Sequence, residues 1–212
     1  MRIIAEIGWN HMGDMSIAKE MILAAKKSGA DYCKFQTWSE KFLKKGAWDK
    51  DGRREIYKKA ELSHDQHREL KDFCIKNNIK FLSSIFKIKD LIFLKNLNFQ
   101  IIKIPSHEIY NLDLISECLK NFDKVLISTG AAKWEEIKAI LNLENKNKMV
   151  LMHCVSSYPL KSEQVNFPRM IELKKYVQEV GYSGHCDGIE DAIAAFTLGA
   201  VIVEKHFTID KT

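Results

Sequence analysis

The chain has 212 residues, with 33 Lys plus Arg against 28 Asp plus Glu, a formal charge of +5, and 46% hydrophobic and 29% charged residues. That length and mixture suit one domain with a sizeable core, and they exclude a predominantly disordered chain or a long coiled coil. No apolar run approaches the ~18 residues of a membrane span, and five widely spaced cysteines without a Cys-x-x-Cys pair read as small core residues of a reducing compartment, so a cytoplasmic protein is expected.

In chain order, Ile3 to Ile7 is a short apolar stretch interrupted by Glu6, followed by the turn formers Gly8, Asn10, Gly13 and Asp14. Ser16 can then cap a helix whose inner face carries Ile17, Met21, Ala24 and Ala25. A strand over Tyr32 to Gln36 follows. The lysines and arginines between Lys41 and Lys59 are diluted by Glu40, Asp49, Asp51 and Glu55, which reads as a solvated loop or short helices, with no nucleic-acid partner. A helix is expected over Ser63 to Asn77, with Leu70, Phe73 and Cys74 inward.

Strand and helix then alternate. Strands fall at Ile79 to Ser83, Ile101 to Ile104, Lys124 to Ser128, Met149 to His153, Val180 to Ser183 and Val201 to Phe207. Helices fall at Lys89 to Lys95, Asn111 to Lys120, a stretch with Trp134, Ile137 and Leu141 on one stripe, Pro168 to Tyr176, and Gly188 to Leu198. In the last, Ile189, Ala192, Ile193 and Phe196 repeat at core-facing spacing. Eight strands separated by seven helices favour a parallel α/β arrangement closed as a (β/α)8 TIM barrel, with an open doubly wound sheet as the alternative. Only Thr208 to Thr212 follow the last strand, so the barrel is expected to lack its eighth outer helix.

In such a barrel the carboxyl ends of the strands form the functional face. Polar residues gather at those ends: Glu6, Asn10 and His11; Lys34 and Gln36; Ser83 and Ser84; Lys103, Ser106 and Glu108; Ser128 and Thr129; His153, Ser156 and Tyr158; Ser183 and His185; Glu204 and His206. Together they suit a ligand with several anionic and hydroxyl oxygens. His185 and His206, on neighbouring strands, can bind a divalent ion such as Mn²⁺, with carboxylate, water or substrate oxygen completing the set, or each can be a local hydrogen-bonding histidine. Lys34 and Lys103 can neutralise carboxylate or phosphate, with hydroxyls from Ser106, Ser128 or Thr129, Ser156 and Ser183; alternatively the lysines snorkel and the serines cap helices. Glu6 can orient a hydroxyl or move a proton, or simply pair with a lysine. Tyr158 can position a substrate hydroxyl or pack its loop.

Eight stretches now carry a resemblance: AEIGWNHMGD (5–14), ADYCKFQT (30–37), FLSS (81–84), IKIPSHE (102–108), ISTGAAKWEEI (127–137), MHCVSSYPL (152–160), GYSGH (181–185) and EKHFTIDKT (204–212). In this order they resemble the catalytic barrel of the sialic acid synthase family, which includes the pseudaminic and legionaminic acid synthases. The resemblance implies condensation of phosphoenolpyruvate with the open-chain aldehyde of N-acetylmannosamine or a related acylamino sugar, giving a nine-carbon 2-keto acid and phosphate. It implies a divalent cation, Mn²⁺ or Mg²⁺, on His185 and His206. It places Lys34 and Ser84 at the phosphoenolpyruvate carboxylate, and Lys103, Ser106, Ser128, Ser156 and Ser183 around its phosphate. Glu6 and Tyr158 would face the sugar, Glu108 would be a nearby supporting acid, and Glu204 would organise water or a histidine.

The chain departs from the family pattern at Trp9 and Met12, at Ser84-Ile85-Phe86-Lys87, at Ser156, at Gly184 and at Cys186-Asp187. These departures bear on the acceptor sugar. The resemblance further implies a homodimer, with the antifreeze-like carboxy-terminal domain of full members absent from residues 1–212. Another phosphoenolpyruvate aldol-type synthase and an inactive sugar-phosphate-binding barrel are the competing functions.

Overall fold

Eight parallel strands pair in sequence order and close on themselves, the last against the first. The structure, a computed structural model, describes residues 1–210. The strands are β1 (Arg2–Glu6), β2 (Tyr32–Thr37), β3 (Lys80–Ile85), β4 (Ile101–Ile104), β5 (Lys124–Ser128), β6 (Met149–His153), β7 (Glu179–Gly184) and β8 (Ile202–His206). Helices α1 (Met15–Lys27), α2 (Arg53–Ala60), α3 (His64–Lys76), α4 (Leu91–Asn96), α5 (Leu112–Asn121), α6 (Trp134–Leu141), α7 (Phe167–Leu173) and α8 (Glu190–Thr197) fill the connections. The expected TIM barrel is therefore the observed one, and the mixed-charge stretch supplies α2 as an extra helix between β2 and β3. Among the described residues no helix follows β8; Lys211 and Thr212, which end the eighth quoted motif, lie outside them.

Local chemistry explains the element boundaries. Asp14, not Ser16, caps α1: its carboxylate accepts from the Ser16 and Ile17 amides, and the Ser16 hydroxyl donates to the same oxygen. An aspartate at this position also meets the positive end of the helix dipole. Ser63 and Gln66 form a reciprocal capping box at the start of α3, each side chain accepting from the other's amide.

The pleat positions the site. Alternate strand residues point to opposite faces, so Ile4, Tyr32, Leu82, Leu126, Val150 and Ile202 meet inside the barrel as an apolar plug. Residues of the other parity, such as Cys33, Phe35, Ile102, Ile127 and Leu151, pack against the helices. Two residues beyond the plug on β1, β2, β3, β5 and β8, the same inward face carries Glu6, Lys34, Ser84, Ser128 and Glu204. Register stacks them across neighbours: Glu6 lies opposite both Lys34 and His206, Ser84 opposite Lys103, and Ser183 opposite Glu204.

α8 corrects one expectation. Ile189, Ile193 and Phe196 are 64%, 57% and 48% exposed, while Asp191 and Ala195 are buried. Asp191 can be buried because Lys205 Nζ lies 3.0 Å from its carboxylate and the Tyr182 hydroxyl donates to it at 2.9 Å. Paired polar atoms thus turn the helix away from its most apolar stripe.

Candidate active site

The polar layer above the plug is an ion-pair network. Lys34 Nζ lies 2.6 Å from Glu6 Oε2 and 3.8 Å from Glu204, and it donates to Ser84 Oγ at 2.9 Å. Lys103 Nζ reaches Glu204 at 3.1 Å, and the Ser183 hydroxyl donates to the same carboxylate at 3.0 Å. All four charged residues are at most 5% exposed. Such burial is costly unless the charges are matched, and here two ammonium groups face two carboxylates.

Burial raises the Glu6 carboxyl above its usual range; Lys34 opposes that rise and the charge on Glu204 adds to it. Burial works against the Lys34 ammonium, but Glu204 and Glu6 together hold its pKa above the usual value. Burial also disfavours the Glu204 carboxylate, yet Lys103 and Lys34 bring it down to about 2. Glu204 is therefore the fixed anion of the layer and Glu6 the carboxyl closer to accepting a proton. Both oxygens of Glu6 are engaged: Gln36 donates to Oε1 at 2.8 Å, and the Lys34 ammonium lies 2.6 Å from Oε2.

His185 follows β7 and His206 ends β8, and their ring centroids are 5.7 Å apart. His185 Nδ1 is 2.6 Å from the Val155 carbonyl. A carbonyl only accepts, so Nδ1 carries the proton and Nε2 presents its lone pair to the cavity, where the Tyr158 hydroxyl lies 2.9 Å away. Burial lowers both histidine pKa values, leaving neutral imidazoles at pH 7. Among the described residues no cluster of three or more His, Cys, Asp or Glu side chains is arranged to hold a metal. The donor set therefore fits a cation only as two neutral imidazoles whose companions are water or substrate oxygens.

These groups line one cavity of about 340 Å³ at the carboxyl end of the barrel. Its opposite wall is formed by Ser106, Ser128, Cys154 and Ser156, with Phe86, His107 and Ala131 completing it. The loop after β5 packs tightly there: a Cβ at Gly130 would lie 2.7 Å from both Cys154 Sγ and Ser156 Oγ, and the Gly130 amide donates to Ser106 Oγ at 3.3 Å. A second cavity of about 240 Å³, between the loop after β1 and Tyr158 and His206, adds Ile7, Gly8, Trp9 and Asn10.

A profile of the NeuB family matches residues 21–212. The chain belongs to the NeuB family. Among NeuB-type relatives, N,N'-diacetyllegionaminic acid synthase of Campylobacter jejuni is 38% identical over 99% of this chain and 68% of its own length. Human N-acetylneuraminate-9-phosphate synthase is 35% identical over 99% of this chain and 62% of its own. The solved N-acetylneuraminic acid synthetase of Leptospira borgpetersenii superposes with a TM-score of 0.89 at 34% identity, covering 98% of this chain and 73% of that one. The chain thus spans about two-thirds of the length of the curated relatives it matches.

On this NeuB barrel, twelve of the thirteen residues singled out from the sequence line the cavity: Glu6, Lys34, Ser84, Lys103, Ser106, Ser128, Ser156, Tyr158, Ser183, His185, Glu204 and His206. Glu108 does not; it is buried in the turn after β4, accepting from Asn111 at 3.1 Å. Several residues grouped with the mouth also point elsewhere. Ser83 faces α3, where its hydroxyl bonds that of Thr37, which in turn bonds His67. Thr129 donates to the Met152 carbonyl, which selects Ser128 as the cavity hydroxyl. His153 donates to the Val165 carbonyl within the helix layer. His11 is buried against Phe35 and accepts from the Gly13 amide. Phe86, His107 and Cys154 were missed; no charge or hydroxyl pattern marks them, although all three lie in or beside the quoted motifs.

Proposed function

We propose that this chain catalyses the condensation of phosphoenolpyruvate with the aldehyde of N-acetylmannosamine or a related acylamino sugar, forming a nine-carbon 2-keto acid and releasing phosphate. The observation that carries this reading is the convergence of the Glu6–Lys34–Glu204–Lys103 layer, the serine wall and two neutral imidazoles on one cavity. Family membership and the relatives' sugar-acid synthase activities support the substrate classes.

Lys34 and Ser84 would hold the carboxylate of phosphoenolpyruvate, while Lys103, Ser106, Ser128, Ser156 and Ser183 would surround its phosphate. Charge-assisted bonds of this kind are short and directional. In the reaction, C3 of phosphoenolpyruvate attacks the aldehyde carbon, and the aldehyde oxygen takes up a proton. Water adds at C2, and the C2–O bond to phosphate breaks, leaving the 2-keto acid. Tyr158 and Glu6 would orient acceptor hydroxyls, and Glu6, its pKa raised, would take the proton that the attacking water loses.

The resident charges nearly cancel, whereas phosphoenolpyruvate brings between roughly two and three negative charges. A divalent cation held by His185 and His206, Mn²⁺ or Mg²⁺, would offset much of this and, when bound, would polarise the aldehyde oxygen. Glu204 would hold Lys103 and Lys34 beside them, and the serine donors would receive the departing phosphate.

Incubation with Mn²⁺, phosphoenolpyruvate and a panel of acylamino sugars, followed by mass spectrometry, tests the assignment. A nine-carbon 2-keto acid is the expected product. Product only from sugars lacking an acylamino group would point to another 2-keto-3-deoxy acid synthase, and no product with any aldehyde would point to a binding barrel.

A further inference from the structure

We propose that Arg169, on the outer face of the barrel, is a positioning residue for the phosphate end of the cavity, which it shapes by gripping the loop after β5 from behind. The inference rests on the phosphoenolpyruvate reading above but concerns a residue that lines neither cavity.

Arg169 lies in α7, half-buried, with its guanidinium over the Trp134 ring at 5.3 Å. One terminal nitrogen donates to the Ala132 carbonyl at 2.6 Å and reaches the Thr129 carbonyl at 3.5 Å. These two carbonyls bracket Gly130 and Ala131. On the other side of the same loop, Ser128 and Ala131 line the cavity and the Gly130 amide donates to Ser106 Oγ.

The planar trans peptide transmits the grip. The carbonyl of residue 129 and the amide of residue 130 belong to one rigid unit and point in opposite directions. Holding the Thr129 carbonyl outward on Arg169 therefore aims the Gly130 N–H inward, towards Ser106. Thr129 is fixed from a second direction, since its amide and hydroxyl both bond the Met152 carbonyl of β6. Gly130 cannot relax toward Cys154 or Ser156, because those side chains already stand where a Cβ would be.

The loop is thus clamped between a cation outside and a hydroxyl-lined wall inside. Arginine suits the outer role because its planar guanidinium stacks on the Trp134 indole while one terminal nitrogen reaches both carbonyls; a lysine offers a donor but no plane to stack. Loss of the clamp leaves the peptide between residues 129 and 130 held from the Thr129 amide side alone, so the Gly130 N–H loses its aim at Ser106 Oγ. The acceptor side, built from β1, β8 and Tyr158, shares no hydrogen bond with Arg169.

Arg169→Met and Arg169→Lys test this in the full chain, with phosphoenolpyruvate affinity measured by calorimetry and KM determined separately for phosphoenolpyruvate and for the acceptor. The expected result for Arg169→Met is a loss of phosphoenolpyruvate affinity of about tenfold, corresponding to one good charge-assisted contact, with the acceptor KM within about twofold of the parent. Arg169→Lys, which restores one carbonyl contact, should recover part of the loss. If Arg169→Met does not fold, as judged by near-ultraviolet circular dichroism, Arg169→Lys alone decides, and unaltered phosphoenolpyruvate affinity in it overturns the inference. Equal weakening of both substrates, or a lowered melting temperature with both affinities intact, would also overturn it by showing a purely structural role. A parent protein that binds no phosphoenolpyruvate would overturn the functional reading itself, an outcome distinct from a variant that binds as the parent does.

Discussion

Glu204 is the residue on which the site's electrostatics turn. It pairs with Lys103, lies 3.8 Å from Lys34 and accepts from Ser183, all below the protein surface. Glu204→Gln keeps the shape but leaves both ammonium groups without their shared anion. Inorganic phosphate or phosphoenolpyruvate should therefore bind about tenfold more tightly to the variant, while the uncomplexed protein should unfold about 3 kcal/mol more easily. Calorimetry and urea titration measure the two effects; weaker anion binding would mean that Glu204 does not compete with substrate for the lysines. His185→Ala, by contrast, removes one of two imidazoles and should abolish the cation's stimulation of condensation, a loss of about 100-fold or more. Unaltered stimulation would show that the cation binds elsewhere. The lysines and histidines were legible in the sequence because they fall at the carboxyl ends of the expected strands. Their pairing was not, since nothing local says that Glu204 on β8 meets Lys103 on β4 across the barrel.

At the scale of elements, α3 was legible because the spacing of Leu70, Phe73 and Cys74 is a local signal; its Ser63–Gln66 capping box is equally local but was not read from the sequence. The polar bonding of that helix was not. His67 is fully buried, with Nδ1 on the Ser63 carbonyl and Nε2 on the Thr37 hydroxyl. Burial lowers its pKa to about 4, and burial does the same to His11 behind β1. Both groups titrate higher in the unfolded chain, near 6.5, so stability is complete above that value and is lost as the pH falls towards 4. Each histidine should remove about 1.4 kcal/mol per pH unit within this window. Urea midpoints between pH 7.5 and 4.5 should fall accordingly, and His67→Gln should flatten the slope; a parent midpoint independent of pH would mean that neither imidazole is held neutral. α8 went astray for a related reason: Ile189, Ile193 and Phe196 form the stronger apolar stripe, but the Asp191–Lys205–Tyr182 contacts set the helix's rotation. Asp191 and Lys205 are far apart in sequence, so periodicity could not reveal them.

For the whole molecule, closure of the sheet is what turns eight separate motifs into one site. The apolar plug fills the barrel interior, and the next inward layer, open at the carboxyl end, is polar on almost every strand. The same alternation gives the fold its stability below and its chemistry above, so both could be read from strand spacing once eight strands were recognised. The most direct measurement is phosphorus NMR in ¹⁸O-labelled water with phosphoenolpyruvate, N-acetylmannosamine or a related acylamino sugar, and Mn²⁺. Phosphate should appear only when all three are present and should carry no ¹⁸O, because water adds at C2 and the C–O bond breaks. Phosphate formed without the sugar, phosphate bearing the label, or no phosphate with any acceptor would contradict the proposed condensation.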